Sequence, residues 1–365
     1  MPTINDVSRV LEQWFPLALA AEWDNVGLLI GDAEQGVERV MTCLTVTAAT
    51  ADEAIRGRAN LIVSHHPVLF RPTKTLSTAS REGAMLLELI RAGVAIYSPH
   101  TAFDNAPGGI NDFLASRLGL TAVRTLRSLT VDKNVKLAMF VPDGDLSKVS
   151  DAVFAAGAGH IGKYRECSFR LPGTGSFHGD ESSNPTVGEK GRREEVSEWR
   201  LEVVCPQSKL DAVVRAFRAA HTYEEPAFDI YPLQADPTRH GSGRIGVLPQ
   251  PTPLAEFAAG VRSQLQANSV QIVGDPSKVI RTVALACGAA GEFVHDAVRA
   301  RADVFLTGEL RFHDALAAEA KGIAVIVAGH YATERPAVED LARRLAGAFP
   351  EAVTWASRDE RDPVT

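Results

Sequence analysis

The sequence predicts an α/β protein carrying a second, smaller α+β unit of ferredoxin-like type inserted into its chain. Three observations predict this. Short strands rich in β-branched residues alternate with helical patterns between residues 39 and 97, and again between 254 and 345, as in a parallel or mixed sheet covered by helices. Near residue 128 the texture changes, and the order becomes strand-helix-strand twice over. The first texture then resumes after a turn-rich joint at Pro237 to Gly243. The predicted organisation is therefore a split α/β domain over 1–128 and 241–365, with a separate unit over 129–240. Insertion at a surface loop is tolerated because domain termini often lie close together.

The elements follow in order. Asn5 to Trp14 is a short amphipathic helix with Asn5 or Asp6 as its cap. Ala21 to Asp32 is a loop entering a strand, Arg39 to Thr47 a strand and Ala48 to Arg58 a helix. Leu61 to Val63 reads as a buried strand ending in Ser64-His65-His66-Pro67, where proline cannot continue a ladder. A helix over Arg81 to Arg91 is ended by Gly93, and Val94 to Tyr97 is a further strand. In the inserted unit, Val135–Val141, Val196–Val204 and Ala227–Tyr231 read as strands, and 146–156 and 210–220 as helices. Leu171 to Gly191, crowded with Gly, Ser, Asn and Pro, reads as a long loop. The returning half gives helices over 254–265, 292–300, 312–320 and 337–345, the last starting at Pro336. Its strands are Thr282–Ala286, Val304–Leu306 and Ile323–Val327.

A chain of 365 residues has material for two or three domains and a substantial core. The net charge of -7 and the lack of a Lys/Arg stripe argue against a nucleic-acid groove. The cluster Lys190 to Arg193 runs straight into Glu194 and Glu195 and reads as a solvated turn. Cys43, Cys167, Cys205 and Cys287 lie far apart without CxxC spacing, which suits free thiols in a reducing compartment. The first ten residues lack a basic region followed by an apolar core, and no apolar run approaches the roughly 18 residues of a membrane span. A cytoplasmic protein is expected.

Ligands in open α/β sheets bind beyond the carboxyl ends of the strands, and there the chemistry-bearing residues collect. His65 and His66 follow one strand; Ser98, His100, Thr101 and Asp104 follow another. Cys287 to Glu292 form a Gly-rich turn after a third, Thr307, Gly308 and Glu309 follow a fourth with His313 a turn later, and His330 and Glu334 follow a fifth. Five of the ten histidines thus fall on one predicted edge. Successive strand residues point to opposite faces, so adjacent His65 and His66 share a site only where the chain is turning, an arrangement suited to two neighbouring ions. Imidazole with carboxylate suits Zn²⁺, Mn²⁺ or Fe²⁺, and Asp104 or Glu334 can bridge two ions. Each pair also has a plainer reading: His100 and Asp104 as a loop-stabilising pair, Glu309 and His313 as a helix-surface pair, His330 and Glu334 as complements to a helix dipole. The Gly288–Gly291 turn lacks the Lys-Ser/Thr of a P-loop; its backbone donors, with helix N-termini at the same edge, suit a phosphate.

Five segments carry a resemblance: Trp23-Asp24-Asn25-Val26-Gly27-Leu28, Ser64-His65-His66-Pro67, His100-Thr101-Ala102-Phe103-Asp104, Thr307-Gly308-Glu309 and Gly329-His330-Tyr331-Ala332-Thr333-Glu334. In this order they resemble the Nif-three-like family of dinuclear-metal hexameric proteins, the GTP cyclohydrolase 1 type 2 homologs. His221-Thr222-Tyr223-Glu224-Glu225-Pro226-Ala227-Phe228-Asp229 resembles the middle domain of its longer bacterial members, which is similar to PII and CutA proteins. Members often have proline where this chain has Thr222, which bears on local loop shape. His221, Glu224 and Glu225 read as a turn in preference to a second metal site.

The resemblance implies a homohexamer, two trimers face to face, with two divalent ions per subunit (Zn, Fe or Mn) lining an internal cavity. The ligands it implies are His65, His66, Asp104, His330 and Glu334, with His100 and Glu309 in or near the surrounding shell. The expected function is metal-assisted hydrolysis of a nucleotide-like substrate, with Glu309 or His100 as general base or acid. The competing expectation is a non-enzymatic metal-binding ring of regulatory or chaperone-like kind, with the insert gating the cavity.

Overall fold

The computed structural model describes residues 1–129, 134–162, 164–233 and 240–364. Its contacts divide the chain into two units, one of Met1–Leu129 with Thr238–Thr365 and the other of Thr130–Pro237. In the first half of the larger unit, α1 (Ile4–Trp14), β1 (Gly27–Ile30), β2 (Arg39–Cys43), α2 (Ala48–Arg56) and β3 (Leu61–Ser64) come first. There follow α3 (Arg81–Arg91), β4 (Ala95–Ser98), α4 (His100–Asn105), α5 (Ile110–Arg117) and β5 (Thr121–Ser128). The smaller unit holds β6 (Asn134–Pro142), α6 (Leu146–Ala155), β7 (Ser168–His178), β8 (Arg193–Pro206), α7 (Leu210–Ala220) and β9 (Phe228–Pro232). The larger unit resumes with β10 (Gly241–Pro253), α8 (Leu254–Leu265), β11 (Gln271–Val273), β12 (Val279–Ala286), α9 (Val294–Arg299) and β13 (Val304–Thr307). It ends with α10 (Phe312–Ala320), β14 (Ala324–Val327), α11 (His330–Ala348) and β15 (Val353–Ala356).

The larger unit contains two sheets where the sequence suggests one. Their orders are β1-β4-β3-β2-β15 and β11-β14-β13-β12-β10-β5. In the first, β15, β2, β3 and β4 run parallel, with β1 antiparallel at the edge. In the second, β12, β13 and β14 are parallel, and β10, β5 and β11 are added antiparallel. Strand alternation explains how both are filled. Leu61 and Val63 of β3 share one core with Val283 and Leu285 of β12 and with α1, α5, α8 and α11. The intervening Ile62 packs on the far side with α2 and α3, and Ala284 and Ala286 pack on the far side of the second sheet with α9. Both faces are covered, which is why these strands read as unbroken apolar runs.

Arg244 of β10 pins the seam within this unit. Its guanidinium, 2 % exposed, meets both Asp112 carboxylate oxygens of α5 at 2.6 and 2.9 Å and the carbonyls of Gly241, Gly243 and Ala106. The smaller unit is a sheet of order β7-β8-β6-β9, antiparallel throughout. One core joins α6 and α7 to β6 and β8. No helix of the described residues is long and apolar enough to cross a membrane.

Several boundaries differ from those the sequence suggests. The cap of α1 is Thr3, whose hydroxyl accepts from Asp6 N while the Asp6 carboxylate accepts from Thr3 N, a capping box that starts the helix earlier than a cap at Asn5 or Asp6 would. Much of the supposed loop at 171–191 is strand: β7 runs to His178, an edge strand whose exposed face lacks apolar alternation. Pro336 lies inside α11, which begins at His330. Pro336 stands in the second turn of this helix and has no N–H to offer the Ala332 carbonyl.

Candidate metal centre

The parallel strands β3 and β4 end side by side, so His65 and His66 emerge next to His100 and Asp104. From the other sheet, β12, β13 and β14 end at Cys287, Glu309 and His330 in the same way. The ends of the two sheets meet around one cluster. His65 Nε2 lies 3.6 Å from Asp104 Oδ1 and 3.9 Å from Glu334 Oε1. Glu334 Oε2 lies 3.1 Å from His66 Nε2 and 3.0 Å from His330 Nε2, and those two nitrogens are 3.3 Å apart. Two triads have ligand atoms within 4.8 Å of one another: His65, His66 and His100, and His66, His330 and Glu334. His330 and Glu334, one turn apart on α11, share a helix face.

Three contacts orient the rings. His66 Nδ1 pairs with Thr45 Oγ1, His330 Nδ1 with Glu309 Oε1 and His100 Nδ1 with Asp24 Oδ1, each at 2.7 Å. A ring nitrogen held from outside fixes the tautomer and aim of the other, the usual support of metal-binding histidines. Asp24 also accepts from Thr101 N at 3.1 Å and from the Thr101 hydroxyl. These bonds hold His100 at a φ of +29°, a backbone state of order 1–3 kcal/mol above the favoured regions. Thr45 is in turn fixed from the C-terminal tail, because Glu360 accepts from the Leu44 and Thr45 amides at 2.9 and 2.7 Å and pairs with Arg335 at 2.8 Å. Gly288 closes the floor at a φ of +64°, and a Cβ there would stand 2.3 Å from Glu334 Oε1. Only glycine fits.

The electrostatics sort the cluster into donors and charges. Burial pushes His65 well below its ordinary 6.5, so its imidazole is neutral. Burial opposes ionisation of Glu334, but the hydrogen bonds from His330 and His66 and the charge of His330 outweigh it and lower its pKa. Asp104 is pushed up to about 7 by burial and then by the Glu334 charge. Burial disfavours charge on His330, yet Glu334 and Glu309 together raise it to about 9. His100 is raised, the bond to Asp24 outweighing burial.

His65 decides whether this donor set fits a cation. Its side chain is 1 % exposed, and both ring nitrogens are buried without a hydrogen-bond partner. A buried, neutral imidazole facing two carboxylates is poorly suited to a core and well suited to ligating an ion. The cluster opens into a cavity of about 650 Å³ whose wall includes Trp23, Phe70 and Arg127.

All five candidate ligands, with His100 and Glu309, come together. His313 does not: it is exposed on α10 beside Phe312. In the Gly-rich turn, Gly288 N donates to Thr333 Oγ1 and the preceding Cys287 N to Asn111 Oδ1, while Ala289 and Ala290 line the cavity. His221 bonds Phe140 O through Nε2 and accepts from Tyr223 N at Nδ1, so it is a turn residue with both nitrogens occupied. The four cysteines are free; Cys287 touches Asp104 Oδ1 at 3.5 Å. The supporting roles of Asp24, Thr45 and Glu360 have no local signal, their partners lying 76, 21 and 316 residues away.

A model of the Duf34/NIF3 (NGG1p interacting factor 3) family matches residues 2–363. The chain belongs to this family. Among named Duf34/NIF3 relatives, the GTP cyclohydrolase 1 type 2 homolog of Bacillus subtilis is 40% identical over 339 residues, 93% of this chain and 91% of the relative. That of Mycobacterium tuberculosis is 39% identical over 364 residues, 97% and 95% of the two chains. A solved Bacillus cereus protein related to NIF3 is similar with a TM-score of 0.71 at 33% identity, covering 100% of this chain and 99% of that one. A Staphylococcus aureus structure gives a TM-score of 0.83 at 28% identity, covering 100% and 98%.

Proposed function

We propose that the chain holds two divalent ions, Zn²⁺, Fe²⁺ or Mn²⁺, through His65, His66, Asp104, His330 and Glu334, and hydrolyses a nucleotide-like substrate. The carrying observation is the buried His65 imidazole with neither nitrogen partnered, set among carboxylates. Glu334 turns one oxygen toward His65 and the other toward His66 and His330, so it is the carboxylate placed to be shared. When bound, such a pair supplies a nucleophile at neutral pH and a clamp for developing negative charge. The chain's own residues then position and relay. Thr45 and Glu309 aim His66 and His330. His100, backed by the Asp24 carboxylate, is built to carry a proton, and Glu309, 57% exposed at its side chain, can exchange one with solvent. The name borne by the relatives supports a GTP-like substrate; a phosphoester of a nucleotide fits the same donors.

A second reading has its own observation. Glu309 and His100 are each engaged in orienting or bracing a ring, as a purely metal-binding ring of regulatory or chaperone-like kind would require. In either case the assembly is a cytoplasmic homohexamer, a dimer of trimers. The insert over 129–240 is a ferredoxin-like unit of PII/CutA type, supported by its β6-α6-β7-β8-α7-β9 order and its strand order.

The test is metal content by mass spectrometry on protein purified without added metal, followed by a screen of GTP, other nucleotides and phosphodiesters. Near-stoichiometric metal and turnover, both lost in His65→Ala and Glu334→Ala, are the expected results. Metal without turnover on any substrate selects the second reading, and protein that neither carries nor takes up metal defeats both.

A further inference from the structure

The smaller unit encloses a cavity of about 350 Å³ that the metal centre does not use. It lies where the segment after β7 folds over the turn between α7 and β9. That closure is built: Asn184 N donates to Glu224 Oε1 at 3.3 Å, and Thr186 Oγ1 to Thr222 O at 2.9 Å. Three aromatic rings face the space, Phe140, Phe177 and Tyr223, together with three carboxylates, Glu198, Glu224 and Glu225. No lysine, arginine or histidine lines it among the described residues. Glu198 lies flat across β7 because Gly175 has no side chain; a Cβ there would stand 2.2 Å from Glu198 Oε2.

Tyr223 and Glu198 meet on this wall. The Tyr223 hydroxyl oxygen is fully buried and leans toward Glu198, outside ordinary hydrogen-bond geometry. Burial, and then the Glu198 charge, pushes this phenol up to about 12, so it stays a neutral donor and acceptor. Glu198 is half-buried and finds no cation on the cavity wall. An aromatic wall with negative faces, beside one half-buried and two exposed carboxylates, attracts positive charge on an apolar body. A neutral guest would cover the half-buried Glu198 without supplying a counter-charge.

We propose that this cavity is a binding site for a small organic cation, an ammonium or guanidinium carried on an apolar body, with Glu198 as counter-ion and Phe140, Phe177 and Tyr223 as its cage. Its volume is at the small end for ligand pockets, which suits a metabolite-sized amine or one side chain of a peptide. All of these residues belong to the smaller unit, and the site stands whether or not the metal centre is catalytic.

The test is calorimetric titration of the full-length protein with phenethylamine and agmatine, against 2-phenylethanol as neutral isostere and phenylacetate as anion. N-acetyl-lysine methylamide, run in parallel, separates a free-amine site from one that takes a lysine side chain. At least one cation is expected to bind, with 2-phenylethanol weaker by about tenfold or more. Glu198→Gln should lower cation affinity by about tenfold with circular dichroism and metal content unchanged. Should that variant fail to fold, the amine-against-alcohol comparison on the unaltered protein decides alone. Equal binding of amine and alcohol, no binding of any cation at millimolar concentration, or a folded Glu198→Gln with undiminished affinity would each overturn the proposal.

Discussion

Leaving a buried polar atom unpartnered costs about 1–3 kcal/mol, and His65 carries two such nitrogens. That cost separates a ligand from a core histidine. His65→Leu should raise the stability of chelator-treated protein by about 1 kcal/mol or more while abolishing metal uptake; thermal melts with and without chelator measure both. A structural histidine would instead lose stability equally in the two melts. Asp24 allows a pH test. Burial raises its pKa, but the His100 and Thr101 hydrogen bonds win and bring it from 3.8 down to about 2. A lowered pKa contributes stability that is complete above the unfolded value and lost as pH falls through the folded one, here between about pH 4 and pH 2. The contribution is roughly 2 kcal/mol. Asp24→Asn should lose about that much at pH 7 and flatten the acid limb in urea titrations run across that window. Of these residues, the sequence showed His65 through its neighbour His66 and the strand before it. It could not show why His100 sits at the site, because the Asp24 carboxylate that holds it comes from a different turn.

Helix α11 brings one more titration to the centre. His330, its first residue, is raised to about 9 between Glu309 and Glu334, so in metal-free protein it carries a proton through neutral pH. A cation must displace that proton. Metal affinity should therefore rise by up to tenfold per pH unit from pH 7 to about 9 and level off above, with proton release seen by calorimetry in buffers of differing ionisation heat. A flat profile would remove His330 from the ligand set. The C-terminal tail tests the same helix from its far side. Glu360 grips the Leu44–Thr45 turn and pairs with Arg335, next to Glu334, so truncation after Ala356 should weaken metal binding more than it weakens folding, read by chelator competition against urea melts. The sequence displayed the parallel strands β3, β12, β13 and β14 well because both of their faces are buried. It hid β10, where Pro249 and Pro251 interrupt the strand pattern between the joint at Pro237 to Gly243 and the helix from Leu254. In the structure those prolines fall where the register between β10 and β12 shifts, between Val247 and Thr252. The edge strand β7 was hidden for the opposite reason: nearly all of it is exposed, so no apolar alternation marks it.

Continuity of the larger unit across its interruption is the remaining question, and the strands on either side of it bear on the answer. Ser128 of β5 stands opposite Gly241 of β10, and Leu129 N donates to His240 O at 3.1 Å. The chain therefore leaves and re-enters the larger unit at paired positions of one antiparallel ladder, where a tight hairpin could join them. The Arg244 network that locks β10 to α5 lies wholly within that unit, as do all five candidate ligands and the Thr45, Glu309 and Glu360 contacts that aim them. Replacing residues 130–239 by a short Gly-Asn linker should thus leave a folded protein with the same metal-to-protein ratio and the same pH dependence of metal affinity as the full chain. Cation binding at the Glu198 cavity should vanish completely from that variant. A well-folded deletion that loses its metal would place an essential ligand in the insert and refute the assignment of His65, His66, Asp104, His330 and Glu334 as a sufficient set.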